Sequence, residues 1–210
     1  MANTLAPFGF KQFRRADGGA PTAGFDTLSI ASSDASVIYT GDVVITAAAG
    51  NPNAFGNYVT GASSGLSQIR GIFMGCEYYS ATVGRKVWSP YFPGSVATSS
   101  GTNDVTAWVC TDPDMTYVVQ ASTTSVITSS MVNLNFGSSV ASPAGNTLSG
   151  QSLATLASTS GVTTSTLPWR LVDFYSNYAP PGSNGTDNAS AGQMVIVAPN
   201  NWDRKNLTGI

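Results

Sequence analysis

Residues 107–120, AWVCTDPDMTYVVQ, constrain the fold of this chain more than any other stretch. Two short apolar runs, 107–110 and 115–119, flank the polar bend Thr111-Asp112-Pro113-Asp114. Trp, Tyr and Val suit a half-buried pleated surface, so both runs predict strands. Pro113 fixes its own φ and has no N–H to give to a ladder, so the bend marks a break between strands or an edge. The carboxylates of Asp112 and Asp114 can cap backbone N–H groups there or hold a cation. Calcium takes more oxygen ligands than two aspartates supply, and the glycine and distal acid of a calcium loop are missing, so capping is the expectation and no metal is assigned.

The rest of the chain repeats this pattern. Leu28 and Ile30, residues 37–39 and residues 43–46 form short runs separated by Ser32-Ser33-Asp34 and Gly41-Asp42 turns, with Asp42 read as an exposed turn cap. Residues 69–79 predict a strong strand punctuated by Gly71 and Gly75, where bulges or tight bends belong. The aromatic segment 86–92, KVWSPYF, holds Pro90 and reads as an edge strand or docking loop. Residues 126–136, 169–175 and 193–197 supply further runs, whereas 51–65, 142–166 and 178–192 are rich in Ser, Thr, Asn and Gly and read as loops. A short helix at 148–156 is the one helical alternative. The fold class expected is all-β, a barrel or sandwich of about nine short strands with long loops and an extended N-terminal arm. The boundaries are 1–24 for the arm, 25–200 for the β domain, in which a small inserted β subdomain fits, and 201–210 for a C-terminal tail.

Composition excludes several functions. The 210 residues hold a real core, with 42% hydrophobic and only 10% charged residues. Net charge is −2 and the nine basic residues are scattered, so no nucleic-acid surface is expected. No apolar run approaches the length of a membrane span, and residues 1–10 do not read as a secretory signal. There is no histidine, and Glu77 is the single glutamate. The commonest general base and metal ligand are therefore missing, and no catalytic residue or cofactor is assigned. A β-fold hydrolase would have to pair Asp112 or Asp114 with Asp173 or Glu77, which nothing in the sequence brings together. Cys76 and Cys110 sit in separate apolar runs and are expected to be buried thiols rather than a disulfide.

Candidate binding residues lie toward the aromatic-rich ends of these segments. Pro7, Phe8, Phe10 and Phe13, with Arg14 and Arg15, suit an arm that docks on another surface by strand addition or aromatic anchors. Such an arm could be deleted without unfolding the domain; the alternative is a first strand lying on its own domain. Trp88, Tyr91 and Phe92 form a second candidate patch, and Trp202, Arg204 and Lys205 a third, anchoring the tail to a neighbouring copy.

Several of these segments resemble the head decoration, or cement, proteins of tailed bacteriophages. The N-terminal APFGF-x-x-F-R-R is similar to their opening motif, and Tyr39-Thr40-Gly41-Asp42-Val43-Val44 to an early strand with a Gly-Asp turn. Residues 69–77, IRGIFMGCE, are similar to a glycine-punctuated strand, and 111–120, TDPDMTYVVQ, to an Asp-Pro-Asp turn leading into a strand. Residues 148–152, 167–172 and the closing Asn200-Asn201…Gly209-Ile210 fit the later pattern. The resemblance implies a structural virion protein, made in the host cytoplasm, that binds the outer surface of the capsid. Its partners would be the major capsid protein and neighbouring copies of itself in a homo-oligomer, cementing capsomers against the pressure of packaged DNA. The rival class is a tail-fibre or spike module that binds a host-surface receptor or glycan.

Overall fold

The Asp-Pro bend turns the chain from one sheet into another. The computed structural model describes residues 2–21, 25–47, 59–61, 68–96, 104–139, 144–159 and 161–203. In chain order the first strands are β1 (Lys11–Arg15), β2 (Asp26–Ala31), β3 (Ile38–Tyr39), β4 (Val43–Thr46), β5 (Val59–Gly61), β6 (Gly71–Ser80), β7 (Arg85–Ser89), β8 (Tyr91–Phe92) and β9 (Asp104–Cys110). Then follow β10 (Met115–Gln120), β11 (Asn135–Phe136), β12 (Ser138–Ser139), β13 (Gly145–Asn146), β14 (Gln151–Ser152), β15 (Thr155–Leu156), β16 (Trp169–Phe174) and β17 (Met194–Pro199). A five-stranded sheet has the order β1-β10-β17-β16-β11, and a six-stranded sheet the order β2-β9-β6-β4-β5 with β7 also on β6. β9 therefore belongs to one sheet and β10 to the other, and residues 111–114 form the corner between them.

Alternation along the strands explains the layering. On β10, Met115, Tyr117 and Val119 enter a core completed by Leu171, Val195 and Val197 from neighbouring strands. Ile72, Val43 and Cys110 of the six-stranded sheet join that same core. Their chain neighbours Phe73, Val44 and Val109 point the other way, into a second core with Leu28, Ile30 and Ile38. The six-stranded sheet is thus covered on both faces, as period-two alternation between apolar residues permits. Gly75, at φ +137°, sits where the β6–β9 register shifts between Phe73 and Gly75, so a glycine does mark a bulge. The architecture is all-β and sandwich-like; the sheets do not close into a barrel.

Four expectations are corrected. Residues 126–136 give only the short β11, because Ser129–Met131 forms a 3₁₀ turn and Asn133 adopts φ +71°, which breaks an extended run. Among the described residues of 142–166 there is no helix; β13 and β14 form a hairpin and β15 pairs with β12. The N-terminal segment is not a free arm. It supplies β1, which pairs antiparallel with β10, and its Phe10 lies in the core at 1% exposure. The start of the expected tail is also tied down. Trp202 is buried, Ile69 donates its N–H to the Asn201 carbonyl at 3.1 Å, and Asp203 pairs with Arg70 at 3.3 Å while accepting the Thr46 hydroxyl.

Candidate partner-binding groove

The tripeptide Phe8-Gly9-Phe10 sets the site. At Gly9 the backbone crosses Gly41 so closely that a Cβ would lie 2.7 Å from the Gly41 carbonyl oxygen and 2.8 Å from Ser152 Cβ. Gly9 also holds φ +72°, which glycine adopts without a Cβ penalty. Beyond the crossing, Phe10 donates its N–H to the Gly41 carbonyl at 2.9 Å, and its ring stacks on Trp169 with centroids 4.4 Å apart. Phe8, on the near side, stays half-buried at the surface. Residues before it are held to the outer face of the five-stranded sheet. The Gln120 side chain accepts the Ala6 N–H at 2.8 Å and donates to the Thr4 carbonyl at 2.8 Å, and Asn3 donates to the Asp187 carbonyl at 2.8 Å.

Phe8 lies between two adjoining concavities. One, of about 480 Å³, is walled by Met74, Trp88, Pro90 and Ser149. The other, of about 370 Å³, is walled by Phe13, Val118, Tyr175 and Met194. Phe8, Lys11, Gln12 and Gln151 line both, so the two form one continuous groove. Trp88 is 62% exposed, and its indole covers the side-chain-free Gly75, where a Cβ would meet the ring at 3.1 Å. Phe13 falls at the register shift between Gln12 and Arg14 in the β1–β10 pairing. It meets Tyr175 and Tyr178 edge-on at 6.0 and 5.4 Å. Arg14 covers that cluster, 4.9 Å from the Tyr178 centroid, and donates to the Tyr178 hydroxyl at 3.0 Å. No carboxylate lines the groove among the described residues.

The structure thus brings together Phe8, Phe13 and Trp88, with Pro7 beside Phe8 and Arg14 beside Phe13. Tyr91 is half-buried and stacks on Tyr39 at 5.6 Å. Phe10, Phe92 and Trp202 are withdrawn as docking residues, because all three are buried in the protein's own core. Arg15 is withdrawn too, since it is held by Asp112 and lies 3.4 Å from Asp17 and 3.7 Å from Asp114. The cation between the two aspartates of the bend is therefore a guanidinium, while Asp112 also accepts the Asp114 N–H at 2.9 Å. Arg204 and Lys205 lie outside the described residues. Sequence reasoning missed Lys11, Gln12, Gln151 and Met74. Period-two alternation would put Phe8 and Phe10 on the same face; the positive φ of Gly9 breaks the extended run between them and sends them to opposite sides, and nothing local signals Gln151, which tertiary packing delivers.

The remaining reactive groups are engaged elsewhere. Glu77 pairs with Lys86 at 3.9 Å on the six-stranded sheet, and Asp173, on β16, accepts from Asn177 and Tyr178. Asp42 is buried, not exposed. It accepts the Tyr39 N–H at 2.7 Å and the Ser152 hydroxyl at 2.5 Å, and burial outweighs both bonds to push its carboxyl up to about 6. Burial likewise pushes the Cys76 thiol up to about 12. Cys110 accepts from Gln12 at 2.9 Å and from the Tyr117 hydroxyl at 3.2 Å, tying β1, β9 and β10 together. Both cysteines are free, one in each core. What the groove offers chemically is a fixed, largely apolar surface with amide side chains and one lysine, suited to binding.

Set against protein-family models, curated proteins and solved structures, the chain has no significant match in any of the three comparisons.

Proposed function

We propose that this chain is a structural virion protein that binds the outside of a phage capsid and cements neighbouring capsomers, acting through the aromatic groove. The observation that carries the reading is the convergence of Phe8, Phe13 and Trp88 on one groove, although 75 residues separate the last two in sequence. Aromatics are the residue type that anchors protein interfaces, and an exposed apolar strip of this kind is costly to leave uncovered. Support also comes from the segments that resemble decoration proteins and from a surface with few charges, which lets many copies crowd together with little repulsion. Modest contacts per copy would then be multiplied over the shell.

The test is co-sedimentation of the protein with assembled, empty shells of major capsid protein, scored as copies per shell. Stoichiometric binding over the shell, reduced about tenfold or more by Trp88→Ala, is expected. A few copies at one vertex, or none, defeats the proposal. One observation favours the host-binding reading as a second: Trp88 shares the groove with the amide side chains Gln12 and Gln151, a combination that can stack on and hydrogen-bond a sugar. Retention on host-surface glycan with no affinity for shells would select it.

A further inference from the structure

We propose that the groove receives an extended, acidic segment of the shell protein, laid along the outer edge of β1 as an added strand. This rests on the cement reading and specifies its partner chemistry. β1 is the terminal strand of the five-stranded sheet, so its second edge is not taken by another strand of that sheet; the ends of that edge are closed by the Phe10 N–H on the Gly41 carbonyl and by the Arg15 N–H on the Gly19 carbonyl at 3.0 Å, which leaves residues 11–14 between them as the docking stretch. Three of its residues, Lys11, Gln12 and Phe13, line the groove directly. An edge strand bordering a groove offers backbone hydrogen bonds for affinity, while pockets at alternate side chains give selectivity. Here the pockets are spaced along the same line: Trp88 and Met74 at one end, Phe8 in the middle, Phe13 and Tyr175 at the other.

Charge decides which extended segment fits. Lys11 lines both halves of the groove, and Arg14 flanks the Phe13 end. With no carboxylate among the described residues lining either half, a basic segment would meet like charge without compensation, whereas an aspartate or glutamate would find Lys11 in partly apolar surroundings. Among the described residues the same wall carries one lysine rather than a track of cations, so a polyphosphate backbone is not the matching ligand. Alternating acidic and β-branched residues satisfy both the edge and the pockets.

The experiment uses two labelled peptides of about seven residues, long enough to run the length of β1. One alternates Val or Thr with Asp, and the other replaces every Asp by Lys. Binding to the full chain is read by peptide anisotropy and by tryptophan emission, with Trp88→Phe as the control for the reporter. The acidic peptide is expected to bind about tenfold or more tighter than the basic one, and to lose that preference in Lys11→Glu. Equal affinity for the two peptides, no binding of either, or an unchanged preference in Lys11→Glu overturns the proposal. In parallel, Lys11→Glu is sedimented with shells. Full binding of the variant overturns the acidic-segment proposal while leaving the cement reading standing. Absence of shell binding by the wild type overturns the cement reading, and with it the shell protein as source of the segment.

Discussion

Replacing Asp42 by asparagine is expected to make the protein more stable at pH 8 and to remove part of its pH dependence. Asp42 is 8% exposed, and its two carboxylate oxygens are met by the Tyr39 N–H and the Ser152 hydroxyl. Neither partner is a cation, so the loss of hydration is only partly offset by these two hydrogen bonds, and the folded-state carboxyl is pushed from its ordinary 3.8 to about 6. A folded acid with a raised value binds its proton more tightly than the unfolded chain does. Stability from the neutral carboxyl is therefore complete below about 3.8, and declines as pH rises from there through about 6. At about 1.4 kcal/mol per unit, a shift of about two units corresponds to about 3 kcal/mol lost by pH 8. Asparagine reproduces the neutral acid: its oxygen accepts the Tyr39 N–H, and its amide donates to Ser152 Oγ.

The assay is urea unfolding of both proteins from pH 4 to pH 8, with the difference in stability plotted against pH. Subtraction matters because Asp17 and Asp187, whose carboxyls hydrogen bonds hold below the ordinary range, slope the opposite way in both proteins and cancel. The variant should gain about 1–3 kcal/mol on the wild type between pH 4 and pH 8, at an unchanged denaturant slope. A difference independent of pH, or a variant that becomes relatively weaker as pH rises, would refute the reasoning. The carboxylate would then have to be better solvated or better paired when charged than its packing implies.

Two further outcomes follow from the same packing. Phe10→Ala should cost about 3–5 kcal/mol, because it empties the ring's place against Trp169; removal of residues 2–15 should accordingly unfold the domain, as circular dichroism and urea melts will register. Cys76 should resist alkylation at pH 8 until the protein unfolds. Its thiol stands about three units above the ordinary 9.0, so iodoacetamide should label it roughly a thousandfold more slowly in the native state, followed by mass spectrometry.

The elements legible in the sequence are those whose local preference and tertiary role agree. Residues 169–175 and 193–197 are rich in aromatic and β-branched residues and supply β16 (Trp169–Phe174) and most of β17 (Met194–Pro199). The Asp-Pro bend was legible as a corner because proline and aspartate restrict the backbone themselves. What was not legible is that its two strands belong to different sheets, since strand partners are chosen across the whole chain. Residues 131–136 mislead for a related reason: Met131, Val132 and Leu134 pack on the core from a turn, so their apolar character reports burial and not extension. In the candidate site, Phe8, Phe13 and Trp88 were visible as aromatic residues in segments with proline and glycine. Phe10, Phe92 and Trp202 looked the same in sequence and went to the core. Only the long-range packing separates the two groups.

That division gives the groove its rigidity. The wall residue Phe8 and the core residue Phe10 are joined by one glycine, and that glycine is clamped against Gly41, whose own N–H donates to the Phe73 carbonyl at 2.9 Å. On the opposite wall, Gln151 bridges to Thr40, and Thr40 donates its N–H to the Gly150 carbonyl at 2.9 Å and its hydroxyl to the Pro90 carbonyl at 2.5 Å. Moving either wall would therefore require moving a core ring or several backbone hydrogen bonds. The groove is formed before any partner arrives, and a partner that fits it has little ordering of this protein to offset. Under the proposed cement role this matters: each copy would have to bind on its own modest area, and surface that is already in place converts more of that area into affinity. The aromatic anchors can be few because the fold holds them still.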